Sequence, residues 1–400
     1  MLSGADSAES GPVTVIPPPS TTDDPASETG RGQPAAAAAA AAPAGFRATS
    51  PGRPSRPTST YSALLAQVRD AGLLERRRRF YVATFVVLVL CLAAAVAGVA
   101  LLDDSWFQLL VAAGLGVVFT QFAFLAHETS HRQVFESGPV SERCGRLLAS
   151  GVVGMSYAWW MTKHTRHHGN PNTVGKDPDI APGVVVFLEA DAAEKTGVAR
   201  WLTARQGWAF FPLLLLEGIA LHLTSIRTLV TPGKVEGRWL ELALIGTRTV
   251  VYVGLLVWLL EPLMALAFLA VQLGVFGFSM GASFAPNHKG MAIIPEGERV
   301  DFLSKQVLTS RNVGSSRLMS HALGGLNFQI EHHLFPNMAR PHLRRASVLV
   351  KQHCAQHGIP YTETTLLQSW GIVVAYLNRV GLAAGGDPFD CPAASQLRPR

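Results

Sequence analysis

The chain has 400 residues, 48% hydrophobic and 16% charged, with a formal net charge of +6. Ordinary soluble domains carry about 25% charged residues, so a composition this apolar, with its apolar residues clustered, excludes an ordinary soluble enzyme and points to a membrane protein. The basic residues crowd the flanks of the apolar runs, a pattern of membrane orientation that argues against nucleic-acid binding.

Residues 1–59 are rich in Pro, Ala, Ser, Thr and Gly, with an Ala tract from Ala35 to Ala42 bracketed by Pro34 and Pro43. Such a segment cannot build a core, and a disordered N-terminal region is expected. It has neither the basic start nor the apolar centre of a cleaved signal. From Tyr61 to Phe80, Leu64, Leu65, Val68, Leu73 and Leu74 recur at helical spacing and predict a short amphipathic helix lying on the membrane. Arg76 to Arg79 then stand directly before the first long apolar run, which places the N-terminus in the cytoplasm by the positive-inside rule.

Two long apolar runs, Phe80 to Leu102 and Trp106 to Ala126, flank the acidic turn Asp103 to Ser105. Two more, Leu240 to Leu260 and Leu263 to Phe284, flank Glu261-Pro262. Each is long enough to cross about 30 Å of hydrocarbon. Four spans in two hairpins are expected. Arg248 sits in the cytoplasmic half of the third, where its side chain can snorkel. Leu147 to Met161 is shorter, and Phe210 to Leu223 is interrupted by Pro212, Glu217 and His222. The latter reads as interfacial or re-entrant. Parity then puts everything before Phe80, between His127 and Arg238, and after Ala285 on one side. Pro286 to about Leu382 is polar and helix-compatible, and the tail from Ala383 is expected to be disordered. The fold class is therefore all-α: an integral membrane domain over residues 60–382 with a cytoplasmic helical cap, between disordered segments 1–59 and 383–400. Cys91, Cys144, Cys354 and Cys391 show no C-x-x-C or disulfide spacing and read as free thiols.

The 13 histidines carry the chemistry. His127 and His131 are four apart; His164, His167 and His168 form "HTRHH"; Gln329, His332 and His333 form "QIEHH". Spacings of three and four put these side chains on one helical face. Imidazole nitrogen suits iron, zinc or copper. Parity places all three clusters on the cytoplasmic side beside span ends, together with His288 in "APNHKGM". His127-Glu128-Thr129-Ser130-His131 also matches the H-E-x-x-H pattern of zinc proteases. Zinc needs only three protein ligands and a water, whereas eight candidates suit two metal ions. Asn287 is a water-mediated ligand or a cap. His222 reads as structural or substrate-side, His321 has the wrong phase, and His342, His353 and His357 lie in polar sequence and read as surface residues.

H-x3-H, H-x2-H-H and Q-x2-H-H, in this order and with two apolar hairpins, resemble the membrane-bound fatty acid desaturase family over about Tyr61 to Leu382. "FQIEHHLFP" is similar to desaturases in which Gln replaces the first His of the third box, and "HHGNPNTVGKDPDI" and "FAPNHKGM" to bacterial acyl desaturases of that branch. The resemblance implies O2-dependent desaturation of a fatty acyl chain at a di-iron centre. It implies His127, His131, His164, His167, His168, His288, His332 and His333 as iron ligands, with Gln329 where other members have His. The first box has Glu128 where many members have Asp, which leaves Glu128 a carboxylate behind the ligands rather than a catalytic base. Asp177 and Asp179, in "KDPDI", either support a ligand His or form a turn. No His-Pro-Gly-Gly haem motif occurs, so a separate carrier such as a ferredoxin with its NAD(P)H reductase is expected to bring electrons. The acyl substrate would arrive as acyl-CoA, on acyl carrier protein or as membrane lipid. Arg340, Arg344 and Arg345 either bind its phosphates or form a solvated basic face. A lipid hydroxylase at the same site, a membrane zinc protease and a non-catalytic metal-binding protein are the alternatives. Double-bond position, chain length, acyl carrier, electron donor, ligation by Gln329 and oligomeric state are not legible.

Overall fold

The computed structural model describes residues 60–314 and 316–385. The segments 1–59 and 386–400, including the Ala35 to Ala42 tract and Cys391, lie outside the described residues. The described chain is mostly helical. In order it forms α1 (Thr60–Asp70), α2 (Arg78–Leu101), α3 (Gln108–Ser130), α4 (Gly138–Arg146), a π-helical segment (Leu147–Val153), α5 (Tyr157–Gly169), α6 (Glu189–Ala193), α7 (Gly197–Thr203), α8 (Gln206–Val230), α9 (Arg238–Leu259) and α10 (Pro262–His288). There follow α11 (Phe302–Leu308), α12 (Arg317–Ala322), α13 (Gln329–Leu334), α14 (Arg340–Gln356) and α15 (Leu366–Gly385). Two short strands, β1 (Asn312–Val313) and β2 (Glu363–Thr364), pair in parallel. The expected C-terminal disorder is corrected at its start, since α15 continues through Gly385.

Among the described residues, five helices are long and apolar enough to cross a membrane: α2, α3, α8, α9 and α10. Four spans are expected from the sequence; the fifth candidate is α8, which Pro212, Glu217 and His222 do not interrupt. Pro212 falls in its second turn. His222 gives its polarity to backbone, with Nδ1 to Gly218 O at 2.6 Å and Nε2 to Val153 O at 3.1 Å. The outer faces of these helices carry large exposed apolar side chains such as Phe85, Leu90, Leu110, Leu216, Val250 and Leu266. Water would not tolerate so broad an apolar surface, and the molecule is a membrane protein.

The close packing lies elsewhere than between α9 and α10. Gly277 of α10 meets Gly218 of α8, and a Cβ built on Gly277 would lie 2.2 Å from Gly218 N. A Cβ built on Gly116 of α3 would likewise lie 2.8 Å from Gln272 O of α10. These small residues let backbones approach and make α10 the central helix. Phe119, Phe122, Phe268 and Phe276 fill the core around it. At its far end, Pro286 cannot donate to Ala282 O. Trp370 Nε1 takes that carbonyl at 3.3 Å, so the helix runs on to His288. A second core joins α1, α11, α13 and α14 through Leu64, Val68, Leu303, Ile330, Leu334 and Val350. The apolar face of α1 is therefore covered by the chain itself, with Leu64 and Val68 buried, rather than laid on lipid.

Candidate metal centre

The last turn of α3 carries His127 and its C-cap is His131, α5 carries His164, His167 and His168, the end of α10 carries His288, and α13 carries His332 and His333. α5 starts cleanly because Ser156 caps it, its Oγ accepting from Trp159 N at 3.2 Å. The chain thus brings all eight expected histidines together, in two groups. His127, His131, His164, His168 and His332 form one; His167, His288 and His333 form the other, with donor atoms within 4.8 Å of one another in each. His168 and His333 stack between the groups, centroids 4.2 Å apart.

In the five-His group, Nε2 of His164 lies 3.1 Å from Nε2 of His127 and 2.8 Å from Nε2 of His131, and Nε2 of His168 lies 3.1 Å from that of His332. In the three-His group each Nδ1–H has an acceptor. His167 donates to Asp177 (3.1 Å), His288 to Thr309 O (2.9 Å) and His333 to Gln306 Oε1 (2.9 Å). That fixes the tautomer and leaves three Nε2 lone pairs facing inward. His333 Nε2 is buried without a hydrogen-bond partner. A buried, unpartnered lone pair among converging ring nitrogens is costly unless a cation takes it. The donor set fits two transition-metal ions.

The electrostatics agree. Burial, then neighbouring imidazoles, holds His164, His168, His332 and His333 well below the ordinary histidine range. Burial takes His131 down to about 4. These rings are neutral near pH 7, the form that ligates. His167 is the exception. Burial opposes its charge, but Asp179 and Asp177 together raise its pKa. Asp179 also pairs with Lys163 at 2.7 Å.

The other expected site residues divide. Asp177 and Asp179 stand behind His167. Asn287 donates Nδ2 to Ser283 O (2.9 Å) and weakly to Gln329 Oε1 (3.3 Å), while Gln329 Nε2 lies 2.9 Å from His288 Nε2. Glu128 lies outside both donor groups, buried against Arg340, whose Nε meets its Oε1 at 2.6 Å. Arg340 is therefore not available to a headgroup; Arg344 and Arg345 are exposed. His342 and His353 are buried, not on the surface as expected. Arg77 Nε donates to His342 Nε2 at 3.0 Å. His321 and His357 are exposed.

Sequence reasoning missed Asn172, Gln306, Thr309 and Trp160. Asn172, at φ 48, gives Nδ2 to His288 O (3.0 Å) and its backbone N–H to Asp177 Oδ2 (2.7 Å). The Asn-Pro-Asn run was its only local signal. Trp160 stacks on His164 at 4.5 Å. It also closes a small apolar cavity against His127, whose other walls include Ala123, Phe124, Met155, Met280 and Phe284.

Residues 104–365 match the family described as fatty acid desaturase. Similar proteins include the Delta(8)-fatty-acid desaturase of Helianthus annuus, 27% identical over 75% of this chain and 68% of that protein. Delta(8)-fatty-acid desaturase 2 of Arabidopsis thaliana is 28% identical over 75% and 70%. The acyl-lipid (9-3)-desaturase of Borago officinalis is 26% identical over 82% and 76%.

Proposed function

The chain belongs to the fatty acid desaturase family, and from that premise we propose that it desaturates a fatty acyl chain at a two-iron centre held by its eight clustered histidines. It is an oxidoreductase of lipid metabolism. The observation that supports the metal reading best is the three-His group, where three separate acceptors fix three tautomers so that every Nε2 faces one space.

The bound irons would supply the one-electron chemistry that reduces O2. The overall balance takes two hydrogens from adjacent methylenes, two electrons from a separate carrier and two protons, and yields a double bond and two waters. The chain's own residues orient and exclude. Trp160 fixes His164 by stacking, and the cavity beside His127 receives the acyl chain. Met155 and Met280 are unbranched walls that can move aside for it. Rotation of the Gln329 amide brings Oε1 toward His288 and makes it a further oxygen donor. Asn287, whose Oδ1 is buried and unpartnered, offers a donor beside it. Arg344 and Arg345 meet the phosphates of the acyl carrier or headgroup.

Four crossings are proposed, by α2, α3, α9 and α10, with α8 returning to its starting side. Gln206 at the start of α8 reaches Leu377 O (3.2 Å). At its end, Arg238 bonds Thr231 O (2.9 Å), and Glu241 accepts from Ser156 Oγ (2.6 Å) at the head of α5. Both ends of α8 thus adjoin the layer that carries the histidines, and Arg76 to Arg79 support a cytoplasmic position for that layer.

Cells expressing wild type and His332→Ala test the function by fatty-acid mass analysis. A new acid lighter by two hydrogens is expected from wild type alone. Gain of one oxygen instead would establish a hydroxylase. Activity retained by His332→Ala, or one zinc per chain with O2-independent turnover, would sink the reading.

A further inference from the structure

We propose that Arg340 is a positioning residue for the metal centre: through Glu128 it sets the distance between the α3 turn bearing His127 and His131 and the α13 segment bearing His332. The inference rests on the two-iron reading above.

Glu128 lies between two ligands of the five-His group, and its carboxylate is buried. A buried carboxylate needs a full partner. Arg340 supplies it with both prongs of its fork, Nε to Oε1 at 2.6 Å and Nη2 to Oε2. Three further contacts hold that fork. The Phe80 ring lies under the guanidinium, 5.6 Å from Cζ. Arg340's own N–H donates to Tyr81 Oη at 3.0 Å, and Tyr81 Oη in turn donates to Gln133 Oε1 at 2.8 Å. Gly325, at φ +81, leaves room for the stem, since a Cβ there would lie 2.8 Å from Arg340 Cγ. Gln133 Nε2 closes the loop on Pro336 O at 2.9 Å, three residues after His333.

Arg340 is the first residue of α14. A cation there opposes the helix dipole, so its place is not explained by α14 itself. It is explained by what it reaches: one bidentate pair joins the box on α3 to the start of α14, six residues after the end of α13 and its box. Lysine keeps the charge but cannot reproduce the planar fork.

Purified full-length protein, loaded with Fe(II) without oxygen and challenged with graded bipyridine, reads the effect as iron retained per chain. Wild type is expected to retain two. Arg340→Lys and the double variant Glu128→Gln/Arg340→Met, which leaves no lone buried charge, are expected to melt as wild type does. Each should lose one iron at a bipyridine concentration 10- to 100-fold lower, the size typical for groups that orient ligands. The other iron, at His167, His288 and His333, should resist as before. Retention of both irons by either variant, or equal loss of both, would overturn the proposal. Fewer than two irons on wild type would sink the two-iron reading, and the proposal with it.

Discussion

Asp177 offers the sharpest test of how the three-His group is held. Its carboxylate accepts three buried donors: His167 Nδ1 at 3.1 Å, Asn172 N at 2.7 Å and Asp179 N at 2.9 Å. In Asp177→Asn one oxygen remains to accept, and it can serve at most two of them. At least one buried donor then faces the new NH2 group, at a cost of about 1–3 kcal/mol. Metal-free protein should therefore melt earlier by an amount of that size. Separately, His167 exchanges a carboxylate for at best a shared, neutral amide oxygen, and weakening of such a partner lowers metal affinity by about 10- to 100-fold, or about 1.4–2.7 kcal/mol. Only the iron of the three-His group should be affected. The assay pairs thermal melts of metal-free protein with chelator competition followed by iron counting. An Asp177→Asn protein with an unchanged melt and two tightly held irons would refute the reasoning, as would loss of iron from the five-His group first.

Three further outcomes are expected. Gly277→Val pushes a side chain into Gly218 N and Leu214 O, backbone atoms that cannot yield, so folded, monodisperse protein should be lost; Gly114→Ala, with nothing within 4 Å of its Cβ, should behave as wild type by size exclusion. Burial, then Glu331, pushes the Cys354 thiol up to about 11, so iodoacetamide at pH 8 should label half-buried Cys144 and spare Cys354 until the protein is unfolded; early labelling of Cys354 would contradict its burial. Ala123→Phe fills the cavity beside His127 and should shift products toward shorter chains or abolish them, and an unchanged product profile would remove that cavity as the acyl site.

The clustering of the histidines was legible because metal binding would impose a spacing that survives without knowledge of the fold. Three-and-four intervals place seven imidazoles on helical faces, the position of His288 just past a span end added the eighth, and all eight meet. Their division into five and three was not legible, since His167 and His168 are neighbours in sequence yet belong to different groups. Arg340 was read by its charge as a headgroup ligand or part of a solvated basic face; nothing local announces a carboxylate 212 residues away. The continuity of α8 was not legible for a related reason. Pro212 and His222 look disruptive in a linear window, but Pro212 falls in the second turn, and a carbonyl of the π-helical segment accepts from His222. α1 shows the limit of amphipathicity: the pattern gave the helix and its apolar face, but not whether lipid or protein would cover that face.

Six of the eight histidines are buried, while His131 and His168, both in the five-His group, are only half-buried. On the two-iron reading, the two centres would therefore be unequal in lability. The rings of two ligands of one ion reach the surface, and none of the other's do. Exchange, stripping and adventitious substitution by a competing cation will begin at the five-His group. A preparation that loses activity slowly on dialysis will pass through molecules holding a single ion, and its spectra will be those of a mononuclear species before they are those of the empty protein.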